Sequence, residues 1–421
     1  MKEILSENLI KLSNEFLKEE SRLYVVGGYV RNYLLGLPLS DIDVCGALHF
    51  EKVKAICEKL GFECKEINKR LGTLLIVVGK EKYEYTPFRT ENYVLGKHSP
   101  ESVEWTDDIK VDARRRDFTC NALYYDIAND DILDFYDGIE DIINKSLKAI
   151  ETPEWVFSSD GLRILRLVRF ACSLGFEIDR KTFKVARKML YQLKYISGER
   201  KTAELKEIFN AHIKYSREDI SLKLLNKFNI YPYIVGMPNI PRKINLRKYY
   251  KVFSKCENKF LAFVYILLLS RYGKQNVTTN QIVFDLQTLV NDVLHAGGDI
   301  KEMSKTLYVI SRMQKDRDSL EMCVMYSDLK YESRQIVKSF CDTRVLVEKI
   351  NQMKAQNIPL NLDQLQISNV EIMEIVPKET ISYVKNLLLQ KCQNGIIPNE
   401  HDALIKAVKN LNQPNDSIEV K

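Results

Sequence analysis

Over the first 145 residues, apolar positions recur at two different spacings. Short runs, "RLYVV" (22–26), "DIDVC" (41–45), "TLLIVV" (73–78) and "KYEYTPF" (82–88), read as strands. Stretches between them, such as "FEKVKAICEKLG" (50–61), carry the helical period instead. From Thr152 onward the pattern turns almost wholly helical, with loop punctuation at "GMPNIPRKIN", "RYGKQNVTTN", "AQNIPLN" and "NGIIPNE". The opening "MKEILSENLIKLSNEF" predicts an amphipathic helix and not a signal peptide. The most apolar run, "FLAFVYILLL" (260–269), is too short to span a bilayer and reads as a buried helix. No fixed-period repeat or low-complexity block interrupts the pattern, and the final "NQPNDSIEVK" is expected to fray. The fold expected is α+β: a small mixed sheet in an N-terminal head, then an extended all-α remainder.

Composition narrows this only slightly. With 45% hydrophobic and 29% charged residues in 421, the chain is an ordinary globular protein with room for about two to four domains. The excess of 63 Lys and Arg over 57 Asp and Glu permits a basic patch without requiring one, so any nucleic-acid partner must be argued from sites. Nine scattered cysteines form no C-x-x-C pair, which excludes the usual zinc spacings and leaves packed thiols as the expectation. The location expected is cytoplasmic, with no membrane association.

Candidate chemistry concentrates in "LYVVGGYVRNYLLGLPLSDIDV" (23–44). A strand, then Gly27-Gly28, then a helix points backbone N–H groups at an anion, and glycine lets phosphate oxygens approach closely. Arg31 is placed to add a charge-assisted contact to those phosphates. The bland alternative, a ligand-free turn, explains the Gly-Gly alone equally well. The aspartates tip the balance. Residues two apart on a strand face one side, so Asp41 and Asp43 point together and repel unless a cation sits between them. Hard Mg²⁺ with oxygen ligands meets that need, and a metal pair about 3.5–4 Å apart suits in-line phosphoryl transfer. Glu84 lies on a neighbouring predicted strand, either as a third carboxylate or proton acceptor, or as a plain strand residue.

These residues resemble the signature of class II nucleotidyltransferases, the tRNA CCA-adding enzymes and bacterial poly(A) polymerases of the DNA polymerase β superfamily. After "GGYVRNYLLG…DID" the likeness continues in order through "DARRRDFTCNALYYD" (112–126), "FYDGIEDI" (135–142), "SSDGLRILRLVRFACSLGF" (158–176) and "SGERKTAELKEIF" (197–209). Two positions depart: Asn32 stands where members carry Asp, and Ser159 where they generally carry Glu. The resemblance implies a polymerase-β-like catalytic head (1–145), a nucleotide-selecting neck (146–210), a helical body (211–330) and a tRNA-binding tail (331–421). It also implies that Asn121 lies near the nucleotide sugar and that the tRNA elbow is gripped by the body and tail.

From Asp160 onward a helix would bring Asp160, Arg163 and Arg166 within an arc of about 120°. A carboxylate accepts from an exocyclic amine, present on cytosine and adenine, while a guanidinium donates to their ring nitrogens; uracil and guanine present the reverse. Each mismatch strands buried polar groups at about 1–3 kcal/mol apiece. Asp160 with Arg163 is therefore expected to accept CTP and ATP; the alternative is an exposed i,i+3 salt bridge. Arg169 is expected to brace phosphate or a carboxylate. Arg115, Arg116 and Asp117 precede a predicted strand, with the arginines beside the triphosphate. Glu199, Arg200 and Glu204 read as a bracing network. The segment 89–112 reads as a long polar loop, similar to the one associated with adding the terminal A. "PRKINLRKYYKVFSKCENK" interleaves cations with aromatics, either as an RNA surface or as a plain amphipathic helix, and His401-Asp402 reads as a helix start.

The expected activity is addition of C, C and A to tRNA 3′ ends from CTP and ATP with Mg²⁺, by a monomer or homodimer. The alternatives are a poly(A) polymerase, a partial CC- or A-adding enzyme, and, from another class, a non-catalytic tRNA-binding protein.

Overall fold

A computed structural model describes residues 1–411 apart from 40, 93–101, 274, 276, 314, 315 and 317. Those residues fall into two compact units: Met1–Tyr250 with Asp292–Ala296, and Lys251–Asn291 with the chain from Gly297 onward.

The first unit begins with α1 (Glu7–Lys18), which Ser6 caps by accepting the Leu9 N–H. Its buried Leu9, Leu12 and Phe16 follow the i, i+3, i+7 stripe of an amphipathic helix. There follow β1 (Leu23–Val26), α2 (Gly28–Leu34), β2 (Ile42–Gly46) and α3 (Phe50–Leu60). Next come β3 (Glu63–Asn68), β4 (Thr73–Val78), β5 (Glu81–Pro87), β6 (Arg89–Asn92), β7 (Ser102–Trp105) and α4 (Ile109–Arg114). The head closes with β8 (Leu123–Asp126), β9 (Asp131–Asp134), α5 (Gly138–Ile143) and β10 (Ser146–Leu147). Seven strands form one mixed sheet in the order β3-β4-β5-β2-β1-β8-β9. Only β2 and β5 run parallel, in a register that sets Asp43 beside Glu84. Phe16 of α1 meets Tyr85 edge-on at 5.7 Å, so the helix seals one face of the sheet.

Two expectations needed correction here. The segment 89–112 is not simply a loop: β6 and β7 pair antiparallel, α4 follows, and its centre lies outside the described residues. The stretch after Asp117 is not a continuous strand either, because Thr119–Asn121 makes one turn of 3₁₀ helix before β8 begins. In both cases local hydrogen bonding outweighed the pattern of side-chain types. The edge strand β3, "ECKEIN", escaped the sequence reading because five of its six residues are exposed and no apolar alternation marks it.

The remainder of this unit is helical: α6 (Pro153–Ser159), α7 (Leu162–Leu174), α8 (Arg180–Lys188) after a short β11 (Glu177–Ile178), α9 (Gly198–Lys214), α10 (Ser221–Phe228) and α11 (Tyr231–Val235). Eleven of the thirteen residues of α7 are buried, leaving Arg166 and Arg169 as its more open positions.

In the second unit the described residues are helical throughout, and none of its helices is long and apolar enough to cross a membrane. The apolar run 260–269 lies inside the helix Lys259–Tyr272 and is buried from Ala262 to Leu268. Farther on, Leu365, Ile372, Leu388, Leu404 and Val408 form part of a separate apolar cluster.

Candidate active site

The turn between β1 and α2 depends on Gly27, whose φ of +74° and ψ of −124° lie where a Cβ is strained. Its N–H donates to the Leu123 carbonyl at 3.2 Å, so the turn is pinned to β8. A Cβ at Gly27 would lie 3.7 Å from both an Arg116 Nη1 and the Asn121 carbonyl oxygen, which puts those two groups beside the turn. Across from it, Asp41 sits one residue before β2 and Asp43 within it, both exposed, with Ile42 turned partly inward. Dehydration by the crowded surroundings, then the Glu84 charge, push the Asp43 carboxyl up to about 6; Arg116 counters them and Asp41 adds to them. Here three acids gather: Glu84 lies beside Asp43 in register, and Asp41 lies two residues before it.

A few ångströms deeper the balance is reversed. Asp112 is fully buried; its Oδ1 accepts from Arg115 at 2.8 Å and its Oδ2 from the Tyr124 hydroxyl at 2.6 Å and Arg116 at 3.2 Å. Burial alone would raise this acid, but Arg115, Arg116 and the Tyr124 hydroxyl hold it at about 2. Arg116 also donates to the Tyr124 oxygen at 2.8 Å and lies over that ring at 5.1 Å. Arg115 reaches Glu91 as well, at 3.4 Å. Of the two arginines expected beside phosphate, Arg116 faces the Gly27 turn and Arg115 is committed to carboxylates. Asp112 is a scaffold residue of the site that was not among the expected candidates. Its i+3 and i+4 spacing to Arg115 and Arg116 was the available signal.

A second chain of bonds runs behind the turn. Arg31 is 5% exposed, donates to Oδ1 of Asn32 at 2.9 Å and to Oδ1 of Asn121, and stacks over Phe170 at 5.3 Å. Asn121 donates on to Asp117 at 3.1 Å, and Asp117 accepts from Arg166 at 2.8 Å. Burial raises Asp117, yet Arg166, Arg163 and the Asn121 amide hold it at about 2. Arg31, Asn121, Asp117 and Arg166 are thus joined to one another, and Arg31 is turned into the protein and not outward as expected for a phosphate contact. Arg169 pairs with Glu204 at 2.9 Å, which matches a bracing role.

The selection pair differs from expectation in one respect. Asp160 does not open a continuous helix; it is extended (φ −146°, ψ 110°) in the break between α6 and α7. Beside the break, Gly161 packs so tightly that a Cβ would lie 2.8 Å from Gln192. Asp160 accepts the Leu162 N–H at 2.9 Å and pairs with Arg200 of α9 at 3.0 Å. Arg163 donates to the Arg115 carbonyl at 2.6 Å, to Ser159 Oγ at 3.0 Å and to the Val156 carbonyl at 3.4 Å. Those three acceptors take three of the guanidinium's five N–H groups. Ser159, which stands where the family generally carries Glu, seats Arg163. Of the acids on α9 expected to brace the site, Glu204 does so while Glu199 faces His295 at 3.5 Å.

Residues 23–148 match the family model described as the poly A polymerase head domain. A CCA-adding enzyme of Staphylococcus aureus is 34% identical over 210 residues, 50% of this chain and 51% of that protein. The matched stretch therefore spans about half the length of that relative. A CCA-adding enzyme of Streptococcus uberis is 29% identical over 82% of this chain and 90% of its own. Residues 23–148 are thus similar to the poly A polymerase head domain, and most of the chain's length is similar to a CCA-adding enzyme. The crystal structure of the Bacillus stearothermophilus CCA-adding enzyme in complex with CTP has the same fold, with a TM-score of 0.59 and 21% identity over 97% of this chain and 98% of that one.

Class II nucleotidyltransferases use divalent metal ions, and the donor set here fits one. Asp41 and Asp43 offer hard oxygens, and dehydration followed by the neighbouring Glu84 charge has raised Asp43. Among the described residues no three His, Cys, Asp or Glu side chains are spaced to enclose an ion. Glu84 therefore contributes charge beside Asp43 without completing a protein cage. Ions such as Mg²⁺ commonly take one or two carboxylates and complete their shell with substrate phosphate and water.

Proposed function

We propose that this chain adds C, C and A to the 3′ end of tRNA, using CTP and ATP and no template. The observation that carries the reading is the pairing, within one compact unit, of the crowded Asp41–Asp43 carboxylates near the Gly27 turn with Asp160 and Arg163 held from α6, α7 and α9. Asp41 and Asp43 would hold Mg²⁺, which when bound supplies activation of the primer hydroxyl and neutralisation of the triphosphate. Arg116, beside the turn, faces the phosphates and keeps its charge, since Tyr124 and Asp112 overcome the cost of its burial. Asp160 uses its remaining lone pairs to accept the exocyclic amine of cytosine or adenine, and Arg163 donates to the ring nitrogen. Within the family plan, 1–145 serves as head, 146–210 as neck, 211–330 as body and 331–421 as tail on the tRNA, in the cytoplasm.

The test offers three primers: tRNA lacking CCA, tRNA ending in CC, and oligo(A), each with labelled CTP or ATP. The reading requires two C additions and then a single A. Long A tails on any primer favour a poly(A) polymerase; addition of C alone or A alone favours a partial enzyme. No incorporation anywhere favours a binding protein.

A further inference from the structure

Asn32 is completely buried and every polar atom of its side chain is used. Its Oδ1 accepts from Arg31 at 2.9 Å (Nη2) and 3.2 Å (Nε). Its Nδ2 donates to the Pro38 carbonyl at 2.8 Å and to the Tyr215 hydroxyl at 3.0 Å. Pro38 lies three residues before Asp41, on the connection that delivers the carboxylate pair to β2. Arg31, for its part, bonds only to amide oxygens, those of Asn32 and Asn121, and stacks on Phe170. Among the described residues no carboxylate lies within ion-pair distance of it. The guanidinium is 5% exposed, and it lies behind the Gly27 turn, whose carbonyl accepts the Arg31 N–H at 3.1 Å.

We infer that Asn32 is a positioning residue of the nucleotide site, seating Arg31 without cancelling its charge and fixing the connection that leads into the Asp41–Asp43 strand. A carboxylate of the same size would do neither. It would neutralise Arg31 at hydrogen-bond distance, and it would set an acceptor against the Pro38 carbonyl, where no donor remains to bridge them. The family's usual Asp at this place therefore does not suit the neighbourhood that this chain has built. Electrostatics in a buried setting falls off slowly, so a charge removed behind the turn is felt by phosphate in front of it.

This inference rests on the nucleotide reading above, and the two are separable by measuring CTP binding without primer. Asn32→Asp is expected to weaken CTP binding about tenfold and to flatten its dependence on salt, with the melting temperature within a few degrees of wild type. Asn32→Ser keeps the site neutral but loses the reach to Pro38. It is expected to bind CTP within about twofold of wild type while kcat for incorporation falls about tenfold. This variant also serves where Asn32→Asp does not fold. A folded Asn32→Asp protein with unchanged CTP affinity and salt slope overturns the inference, as does Asn32→Ser with affinity and kcat both unchanged or both reduced alike. Wild-type protein that binds CTP but extends no tRNA overturns the proposed reaction alone. Wild-type protein that fails to bind CTP overturns both.

Discussion

Two carboxylates of the head, Asp43 and Asp112, have the same chemistry and opposite circumstances. Asp43 is exposed on β2, shares its surroundings with Glu84 and Asp41, and is pushed up to about 6. Asp112 is wholly buried, yet Arg115, Arg116 and Tyr124 hold it at about 2. Burial alone predicts the reverse order. The difference lies in the surroundings: Arg115, Arg116 and Tyr124 hold the inner acid ionised, whereas at Asp43 dehydration and the Glu84 charge outweigh Arg116. An acid kept ionised inside a lattice of donors is scaffold, whereas a raised acid with other carboxylates beside it is the candidate for holding a cation.

The largest effect should come from breaking the outer cluster. Asp43→Ala is expected to lower nucleotide incorporation by about three orders of magnitude or more, since it removes a metal-bearing group at the reacting centre. Melting temperature should stay unchanged or rise slightly, because the repulsion with Glu84 and Asp41 is relieved. Incorporation near the wild-type rate would show that these acids are ordinary surface residues.

Breaking the inner lattice should do the opposite. Asp112→Asn leaves Arg115 and Arg116 buried beside a neutral amide, at a cost of about 3–5 kcal/mol by denaturant titration. The same contrast has a pH signature. The folded-state values of Asp112 and Asp117 lie below those of the unfolded chain, so the unfolded state binds more protons as acid is added. Their contribution is complete above the ordinary Asp range, near 4, and is lost as pH falls through about 2. Thermal melts between pH 6 and 3 should therefore drop more steeply for wild type than for Asp112→Asn. Parallel curves would remove Asp112 from the account.

A smaller change is expected at the selection pair. Asp160→Asn turns half of an acceptor-only group into a donor, so preference for CTP over UTP should shrink by about 1–3 kcal/mol, roughly five- to a hundredfold. Competition between labelled CTP and UTP on one primer reads this directly. An unchanged ratio would mean that Asp160 serves only Leu162 and Arg200, the partners it has in this structure.

How much of this was legible in the sequence follows from the same distinction. The exposed acids could be read because strand periodicity alone places Asp41 and Asp43 together. Four of the sheet's strands, β1, β2, β4 and β5, likewise announced themselves by apolar runs. The buried lattice was not legible in this way. "DARRRD" reads as a basic run until β8 supplies Tyr124 and α7 supplies Arg166. Arg31 looked like a phosphate contact because its place after Gly-Gly is near the turn; its side-chain direction was set by Asn121, ninety residues away. The break at Asp160 was invisible for a related reason, since the Asp160–Arg200 pair and the Gln192 packing on Gly161 both come from outside the helix. Periodicity reports neighbours along one element, whereas countercharge is assembled from several.

The second unit offers the mildest version of the contrast, a pair held by countercharge in largely open surroundings. His401, at the start of its helix, meets Glu371 at 2.7 Å and Asp402 at 3.3 Å, and Glu371 also accepts from the Ser368 N–H at 2.8 Å. The bonds to Glu371 and Asp402 raise His401 above its ordinary 6.5, while the Ser368 amide and hydroxyl, with His401, hold Glu371 at about 2. The imidazolium contribution is complete below 6.5 and is lost as pH rises through the raised value of the folded state. The carboxylate contribution is complete above its ordinary 4.5 and is lost as pH falls through about 2. Both act together only between those limits. Because the groups are solvated, salt should screen the effect strongly. An NMR titration of the His401 ring should give a midpoint above 6.5 at low salt, moving back toward 6.5 in Glu371→Gln and in high salt. A midpoint that ignores both changes would show that proximity to a carboxylate in open solvent is not enough, and that the head's inner lattice owes its grip to exclusion of water as well as to charge.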